Sequence, residues 1–306
     1  FFDKNSFEEI GMLAGKSSYK NNGKLDKFTP TNSIIGIGLI DNNQIVFYGD
    51  DFTVRGGAAD ASIWEKMVAA EQLANEYELP LVRFIEGTGG GGSVKTLEDM
   101  GFSYVPFNPG WDIVIDNLSK IPVVSLALGP VAGLGAARLV SSHYSIMVKK
   151  ISQVFVAGPP LVKEIGEIVT KEELGGSDIH GKNGVIDDIA ENEKEAMYMA
   201  KTFLSFMPKS INQIPKRIKT SDKIDRKDEF LLKAVPKNKR ESYDIHPIIK
   251  SITDKGSFFE IGKKYGLSAI TGFARLNGFP VVILANNPQI YGGGWTSGSC
   301  KKIIKI

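Results

Sequence analysis

Phe1-Phe2-Asp3-Lys4-Asn5-Ser6-Phe7-Glu8-Glu9-Ile10-Gly11 returns near the other end of the chain as Ile252-Thr253-Asp254-Lys255-Gly256-Ser257-Phe258-Phe259-Glu260-Ile261-Gly262, with Asp, Lys, Ser, Phe, Glu, Ile and Gly in register. A second stretch repeats as well. Gly36 to Asp51 (GIGLIDNNQIVFYGDD) lies over Gly272 to Asn287 (GFARLNGFPVVILANN), Gly56-Gly57 falls on Gly292-Gly293, and Lys66 falls on Lys302. The first copy is the longer between these stretches, and the polar segment Ser17–Thr31 is read as a loop inserted there. A fixed internal repeat outweighs any local propensity, so the chain is read as one unit plus the beginning of a second.

Each copy predicts two strands and a tight turn. β-Branched and aromatic runs (Ile34–Ile40 and Ile45–Tyr48; Ala269–Leu276 and Val281–Leu284) flank Asp41-Asn42-Asn43 and Asn277-Gly278. A Gly pair follows, then a helix over Ala58–Tyr77 whose stripe of Ile63, Met67, Ala70 and Leu73 has helical spacing and closes before Pro80. Next come a short apolar run Pro80–Ile85 ending in Glu86 and the cluster Gly87–Gly92, the segment Trp111–Leu118, a second run Pro122–Leu128, and a helix over Ala136–Val140. Strand, Gly turn and helix alternate as in α/β layering. A further helix is expected over Ala196–Phe206, and the Lys-, Arg- and Asp-rich segment Pro208–Arg240, with three prolines, reads as a linker. The second copy stops at Ile306, which matches Ala70 in mid-helix, so the chain is expected to be a fragment of a longer two-copy protein whose true N-terminus is also missing.

Composition narrows the chemistry. The 306 residues are 42% apolar and 24% charged, as in globular proteins, and a net charge of +2 gives no field for wrapping nucleic acid or an anionic membrane. No apolar run approaches a membrane span. The single cysteine, Cys300, allows no intramolecular disulfide and no Cys-based metal cage, which suits a reducing compartment. With only His143, His180 and His246, a His-rich metal site or a Ser/His/Asp relay has few places to stand, and no metal is expected. Glycine, at 33 residues, is the informative excess. Lys95 follows Gly92 only after Ser93 and Val94, which breaks the phosphate-loop spacing, and no G-x-G-x-x-G begins at Gly133.

Three ordered motifs carry a resemblance. They are Asp51-Phe52-Thr53-Val54-Arg55-Gly56-Gly57-Ala58 after the second strand; Gly129-Pro130-Val131-Ala132-Gly133; and Val156-Ala157-Gly158-Pro159-Pro160-Leu161-Val162, followed by Glu173-Leu174-Gly175-Gly176-Ser177-Asp178-Ile179-His180 and Asn183-Gly184-Val185-Ile186-Asp187. With the duplication, the chain resembles the carboxyltransferase (beta) subunit of the biotin-dependent acyl-CoA carboxylases, of the propionyl-CoA and methylcrotonyl-CoA carboxylase type, in the crotonase superfamily. The resemblance implies an α/β fold of two crotonase-like (ClpP/crotonase) domains built from ββα repeats, the second truncated in this chain. Its acyl-CoA-binding domain would span 1–207, a linker 208–247, and the start of the C-terminal carboxyltransferase domain 248–306.

The resemblance also implies the reaction, the movement of CO2 from carboxybiotin to the α-carbon of an acyl-CoA. The alternatives are a biotin-dependent acyl-CoA decarboxylase subunit and a non-catalytic structural subunit of the same fold. An enolate formed beside a thioester can be held by preorganised backbone N–H groups, which explains why glycines rather than acids and bases dominate. By resemblance, the Gly133 and Leu134 amides hold the thioester oxygen, Gly56 and Gly57 border the pantetheine, Arg55 and Lys66 meet CoA phosphates, and Gly89 and Gly90 line the acyl-CoA site. The biotin cofactor sits on a separate carrier protein or domain, since no Met-Lys-Met signature is present. The expected partners are acyl-CoA, a biotin carboxylase and biotin carrier subunit, and further copies of the chain in a hexamer. Nucleic acid and membrane are not expected, and the compartment the resemblance implies, bacterial cytoplasm or mitochondrial matrix, is left undecided by the sequence. Two departures stand out: Leu134 where many family members have a second Gly, and Glu86-Gly87-Thr88-Gly89-Gly90-Gly91-Gly92 in place of Asp-Ser-Gly-Gly-Ala.

Overall fold

The computed structural model describes residues 1–57, 64–88, 98, 101, 110–223 and 225–306. Contacts divide it into two units, one of Phe1–Ser177, Ala190–Ala200 and Lys209–Asn212, the other of Asp178–Ile189, Lys201–Pro208 and Gln213–Ile306. The stretch 208–247 read as a linker is thus shared, with 213–247 belonging to the second unit.

In the first unit, β1 (Glu8–Ile10) is followed by a separate hairpin of β2 (Gly15–Tyr19) and β3 (Leu25–Pro30). The expected loop over Ser17–Thr31 is therefore corrected to a paired ribbon: Tyr19, Phe28 and Thr29 supply the β-branched and aromatic positions between polar neighbours that a local reading takes for a loop. The main sheet sets β1 beside β4 (Ser33–Ile40) and β4 beside β5 (Asn43–Asp50), both antiparallel. It then turns parallel through β6 (Leu81–Thr88), β7 (Val123–Ala132) and β8 (Tyr144–Val148), with β9 (Gln153–Phe155) along the far end of β7. The result is a mixed α/β fold with a parallel-rich central sheet. Parallel strands are buried on both faces, hence the largely apolar runs of β6 and β7, broken by Arg83 and Ser125.

The helix Trp64–Glu76 lays Ala70 and Ala74 on Ile35, Val46, Tyr48, Leu81 and Val123, with Met67 and Leu73 at the edge of the same cluster. This is the stripe the sequence predicts; Ile63 and the expected helix start at Ala58 lie outside the described residues. The helix Trp111–Lys120 packs beside it, tied by Asn75 Nδ2 donating 2.9 Å to Asn117 Oδ1.

The second unit contains the short β10 (Asp188–Ala190), of which Asp188 and Ile189 belong to it, and an antiparallel sheet of β11 (Phe259–Ile261), β12 (Ala269–Leu276) and β13 (Phe279–Asn286). Bond by bond, that sheet repeats β1, β4 and β5. Glu9 pairs with Gly36 as Glu260 pairs with Gly272, and Ile35 with Tyr48 as Thr271 with Leu284. Both β-turns have positive φ at their two central residues, Asp41 and Asn42 in one copy, Asn277 and Gly278 in the other, the I′ form that suits twisted strands. Asp3 accepts the Asp41 and Asn42 N–H groups at 3.1 and 2.8 Å, and Asp254 accepts those of Asn277 and Gly278 at 2.9 and 2.7 Å. Ser6 Oγ takes the Leu39 N–H at 3.1 Å and Ser257 Oγ the Arg275 N–H at 3.0 Å. The repeated Asp and Ser are therefore the residues that fasten the leading segment across its hairpin.

Candidate functional site

The glycine turns of the first unit gather at the C-terminal ends of β5, β6 and β7, the edge where open parallel sheets bind ligands. After β5, Asp51 Oδ1 accepts the Thr53 N–H at 2.9 Å, and the chain enters a one-turn 3-10 helix, Arg55–Gly57. Gly57 has φ +68°, and a Cβ there would collide with the Glu86 carbonyl and crowd Gly87 Cα. Only glycine lets this turn lie flat on the end of β6. Across β6, Gly87 pairs with Val131 and Thr88 with Ala132, which brings Gly133 into the same neighbourhood. The turns expected at Gly56-Gly57 and Gly133-Leu134 therefore both lie at the end of the β6–β7 pair, the first directly on Gly87.

At the second turn, Gly133 has φ 59° and ψ −124°, caps the helix Leu134–Val140, and donates its own N–H to Phe155 O at 3.2 Å. The expected pair of donors is corrected on this point, because the Gly133 amide is spent in holding β7 to β9. In the helix, Ala137 is the residue that bonds back to the Gly133 carbonyl, at 3.1 Å. The N–H groups of Leu134, Gly135 and Ala136 have no intrahelical acceptor, as at any helix start, and Leu134 is the most accessible of the three. The helix begins at Leu134, two residues before the expected Ala136, since Gly133 and not Gly135 supplies the break.

Other expected site residues fall elsewhere. Lys66 is buried with its ammonium 3.3 Å from Glu9 Oε1, so the position expected at a CoA phosphate ties the helix Trp64–Glu76 to β1. Its repeat partner Lys302 is also buried and donates 2.8 Å to Ala269 O, and burial holds that ammonium below the usual lysine range. Arg55 is placed in the 3-10 turn by its backbone; Gly89 and Gly90 lie outside the described residues. His180 stands 3.4 Å from Asn183 Nδ2, and among the described residues no cluster of His, Cys, Asp and Glu forms a metal site.

Sequence reasoning missed a buried polar network behind the turns. Arg83, fully buried on β6, holds Glu71 with two bonds, Nε to Oε1 at 2.9 Å and Nη2 to Oε2 at 2.8 Å. Its Nη1 donates to the carbonyls of Arg138 and Ser141 at 3.1 and 2.8 Å, the last turn of the helix that starts at Leu134. Arg138 Nη2 joins Glu71 Oε1 at 2.9 Å, and Asn117 Nδ2 donates to Oε2 at 3.0 Å. Burial alone would raise the Glu71 carboxyl, but the two guanidiniums overcome it and hold it down to about 2. Arg138 stacks 4.2 Å over the Tyr48 ring; Tyr48 Oη donates 2.5 Å to Asp50 Oδ1, and Asp50 Oδ2 accepts the Glu86 N–H at 3.0 Å. Burial, and then the neighbouring Asp50 charge, push the Tyr48 phenol up; burial likewise raises Asp50. The half-buried Glu86 carboxyl is raised by burial and then by Asp50, Glu193 and Asp51. The available signal was an arginine inside the apolar run Pro80–Ile85, where a charge demands a partner.

A mixed α/β fold with a parallel-rich central sheet and glycine turns at its strand ends is the class that the fold defines. The chain belongs to the carboxyl transferase family, whose domain model matches residues 1–306. It is 32% identical over 298 residues to a methylmalonyl-CoA decarboxylase subunit alpha of Veillonella parvula, covering 95% of this chain and 57% of that protein. It is 30% identical over 307 residues to a propionyl-CoA carboxylase beta chain of Cereibacter sphaeroides, covering 99% and 59%. A solved transcarboxylase 12S, described as a hexamer with hydrolysed methylmalonyl-coenzyme A bound, superposes with a TM-score of 0.85 at 26% identity, over 99% of this chain and 59% of that one. The chain thus spans less than two thirds of the relatives it matches.

Proposed function

We propose that this chain carries the acyl-CoA half of a biotin-dependent carboxyltransferase, in which a carboxyl group passes between biotin on a separate carrier and the α-carbon of an acyl-CoA. The observation that carries the reading is the placement of the Gly56-Gly57 and Gly133-Leu134 turns at one end of the sheet in a chain matched throughout by the carboxyl transferase family. Bound biotin supplies the activated carboxyl group and a ureido nitrogen able to take the α-proton. Within this chain the work is electrostatic. The Leu134 N–H, at a helix start, faces the charge that grows on the thioester oxygen as the α-carbon becomes nucleophilic. Such a donor is worth ~2.7–4 kcal/mol to the barrier. The Gly57 turn, which only glycine lets lie on the end of β6, sets its backbone beside the pantetheine arm.

No residue here is assigned to biotin. The hexameric assembly of the transcarboxylase neighbour, the repeat of β1, β4 and β5 in β11, β12 and β13, and the relatives' names support two crotonase-like domains, a homo-hexamer and a biotin-carrying partner. The 32% identity to a decarboxylase subunit supports transfer in the opposite direction as a second reading.

The test supplies carboxylated carrier bearing labelled CO2, with acyl-CoA, to the assembled enzyme. Label is expected in the acyl-CoA. Leu134→Pro, which keeps a helix-compatible φ at the first helical position but lacks the N–H, lowers turnover by roughly 100-fold or more and leaves thioester binding nearly unchanged. Equal loss of binding and turnover overturns the oxyanion role.

A further inference from the structure

The buried chain of contacts behind the site runs from one glycine turn to the other without a gap. Arg138 lies one helical turn beyond Leu134, on the same helix, and is one member of a buried ion triad with Glu71 and Arg83. Its guanidinium rests on Tyr48; the Tyr48 hydroxyl reaches Asp50, and Asp50 takes the Glu86 N–H. Glu86 and Gly87 are the backbone on which Gly57 lies. At the opposite end, Arg83 grips the carbonyls of Arg138 and Ser141, where a cation also suits the helix dipole. Buried ion pairs add little stability over well-packed apolar side chains, so conserving volume with Leu and Met would hold the core as well. What apolar residues cannot do is fix a direction and a spacing, which hydrogen bonds with defined partners do.

We propose that Tyr48 and Asp50 are positioning residues that set the spacing between the Gly56-Gly57 and Gly133-Leu134 turns, and so keep the Leu134 amide aimed at a thioester oxygen. The proposal rests on the carboxyl-transfer reading above. Tyr48 is 1% exposed, and its hydroxyl acts through Asp50. A misplacement of about 1 Å at a reacting group can cost about 100-fold in rate, so a loosened link is visible in turnover long before it is visible in folding.

Tyr48→Phe cuts the link and keeps the ring under Arg138; Asp50→Ala cuts it from the other side by removing both acceptors, whereas an Asn could keep both contacts by donating to the Tyr48 oxygen. The probe is propionyl-CoA labelled with 13C at the thioester carbonyl, whose infrared band moves to lower frequency when an amide polarises it. In both variants the labelled thioester is expected to bind within about threefold of the unaltered affinity while at least half of the band shift is lost. In the assembled enzyme, kcat falls about 10- to 100-fold with KM nearly constant. A full band shift in either folded variant overturns the coupling and leaves the carboxyl-transfer reading standing. Bound thioester with no shift in the unaltered protein overturns the oxyanion reading, and the positioning role with it. Loss of affinity and melting temperature together, with the shift retained in whatever still binds, shows a merely structural network and overturns the proposal.

Discussion

Acidification is the sharpest probe of the ion triad. Glu71 is 2% exposed and held down to about 2 from an ordinary 4.5, so its folded form releases its proton more readily than the unfolded chain does. A lowered carboxyl contributes stability that is complete above the unfolded value and disappears as pH falls through the folded one. Taking the two values at face, the contribution is about 3 kcal/mol at pH 7 and about 1 kcal/mol at pH 3, with most of the loss between pH 4.5 and 2. Other carboxylates titrate over the same range, so the measurement is a difference. Urea unfolding of the unaltered protein and of Glu71→Gln, followed by circular dichroism at pH 7, 5, 4 and 3, isolates this one group. At pH 7 the variant is expected to be less stable by about 3–5 kcal/mol, because two buried guanidiniums lose their counter-charge. The gap should close by about 2 kcal/mol on going to pH 3. A gap that stays constant with pH would mean that Glu71 is not the ionised centre of the network, and the account of the triad would fall.

Three other outcomes are expected. Gly57→Ala, forced into positive φ against the Glu86 carbonyl, should lower stability by more than about 1 kcal/mol and weaken acyl-CoA binding, read by thermal melting and calorimetry. Asp3→Ala and Asp254→Ala each strip two turn amides of their acceptor and should cost similar amounts, about 1–3 kcal/mol apiece, in urea titrations; a marked inequality would break the equivalence of the two copies. Leu134→Ala, which keeps the N–H, should retain carboxyl transfer where Leu134→Pro loses it, because the donor is backbone and the side chain is incidental.

The fold was legible where repetition made it so. The Asp and Ser shared by Phe1–Gly11 and Ile252–Gly262 are the residues that fasten each leading segment across its hairpin, so aligning them by eye aligns the hairpins bond for bond. The hairpin β2–β3 was not legible, since a two-stranded ribbon with mostly exposed residues leaves no apolar stripe to read. At the site, the two glycine turns were visible as composition, whereas the loss of the Gly133 amide to Phe155 was not, because a bond between strands distant in sequence has no local signature. Arg83, Glu71 and Arg138 are separated by 12 and 55 positions, and nothing in their spacing announces that they meet. Lys66 misled for a related reason: an alternating polar position on a helix looks exposed until Glu9, on a strand far earlier in the chain, claims it.

Two copies with one bonding grammar also pose a recognition problem during folding. The leading segment Phe1–Gly11 carries the same Asp, Ser and Glu as Ile252–Gly262, and either could satisfy the turn amides and strand edge of the other's hairpin. Polar fastening alone cannot tell them apart. Discrimination falls to the aromatic side chains: Phe1, Phe2 and Phe7 interlock with Phe47 and Phe84 in one copy, while Phe259 and Phe273 gather on Phe206 in the other. Exchange of the two segments would leave rings of the wrong number and shape in each nest. Those phenylalanines therefore act as an address as well as a core, and softening them to leucine should yield swapped, slowly sorting chains before it yields unfolded ones.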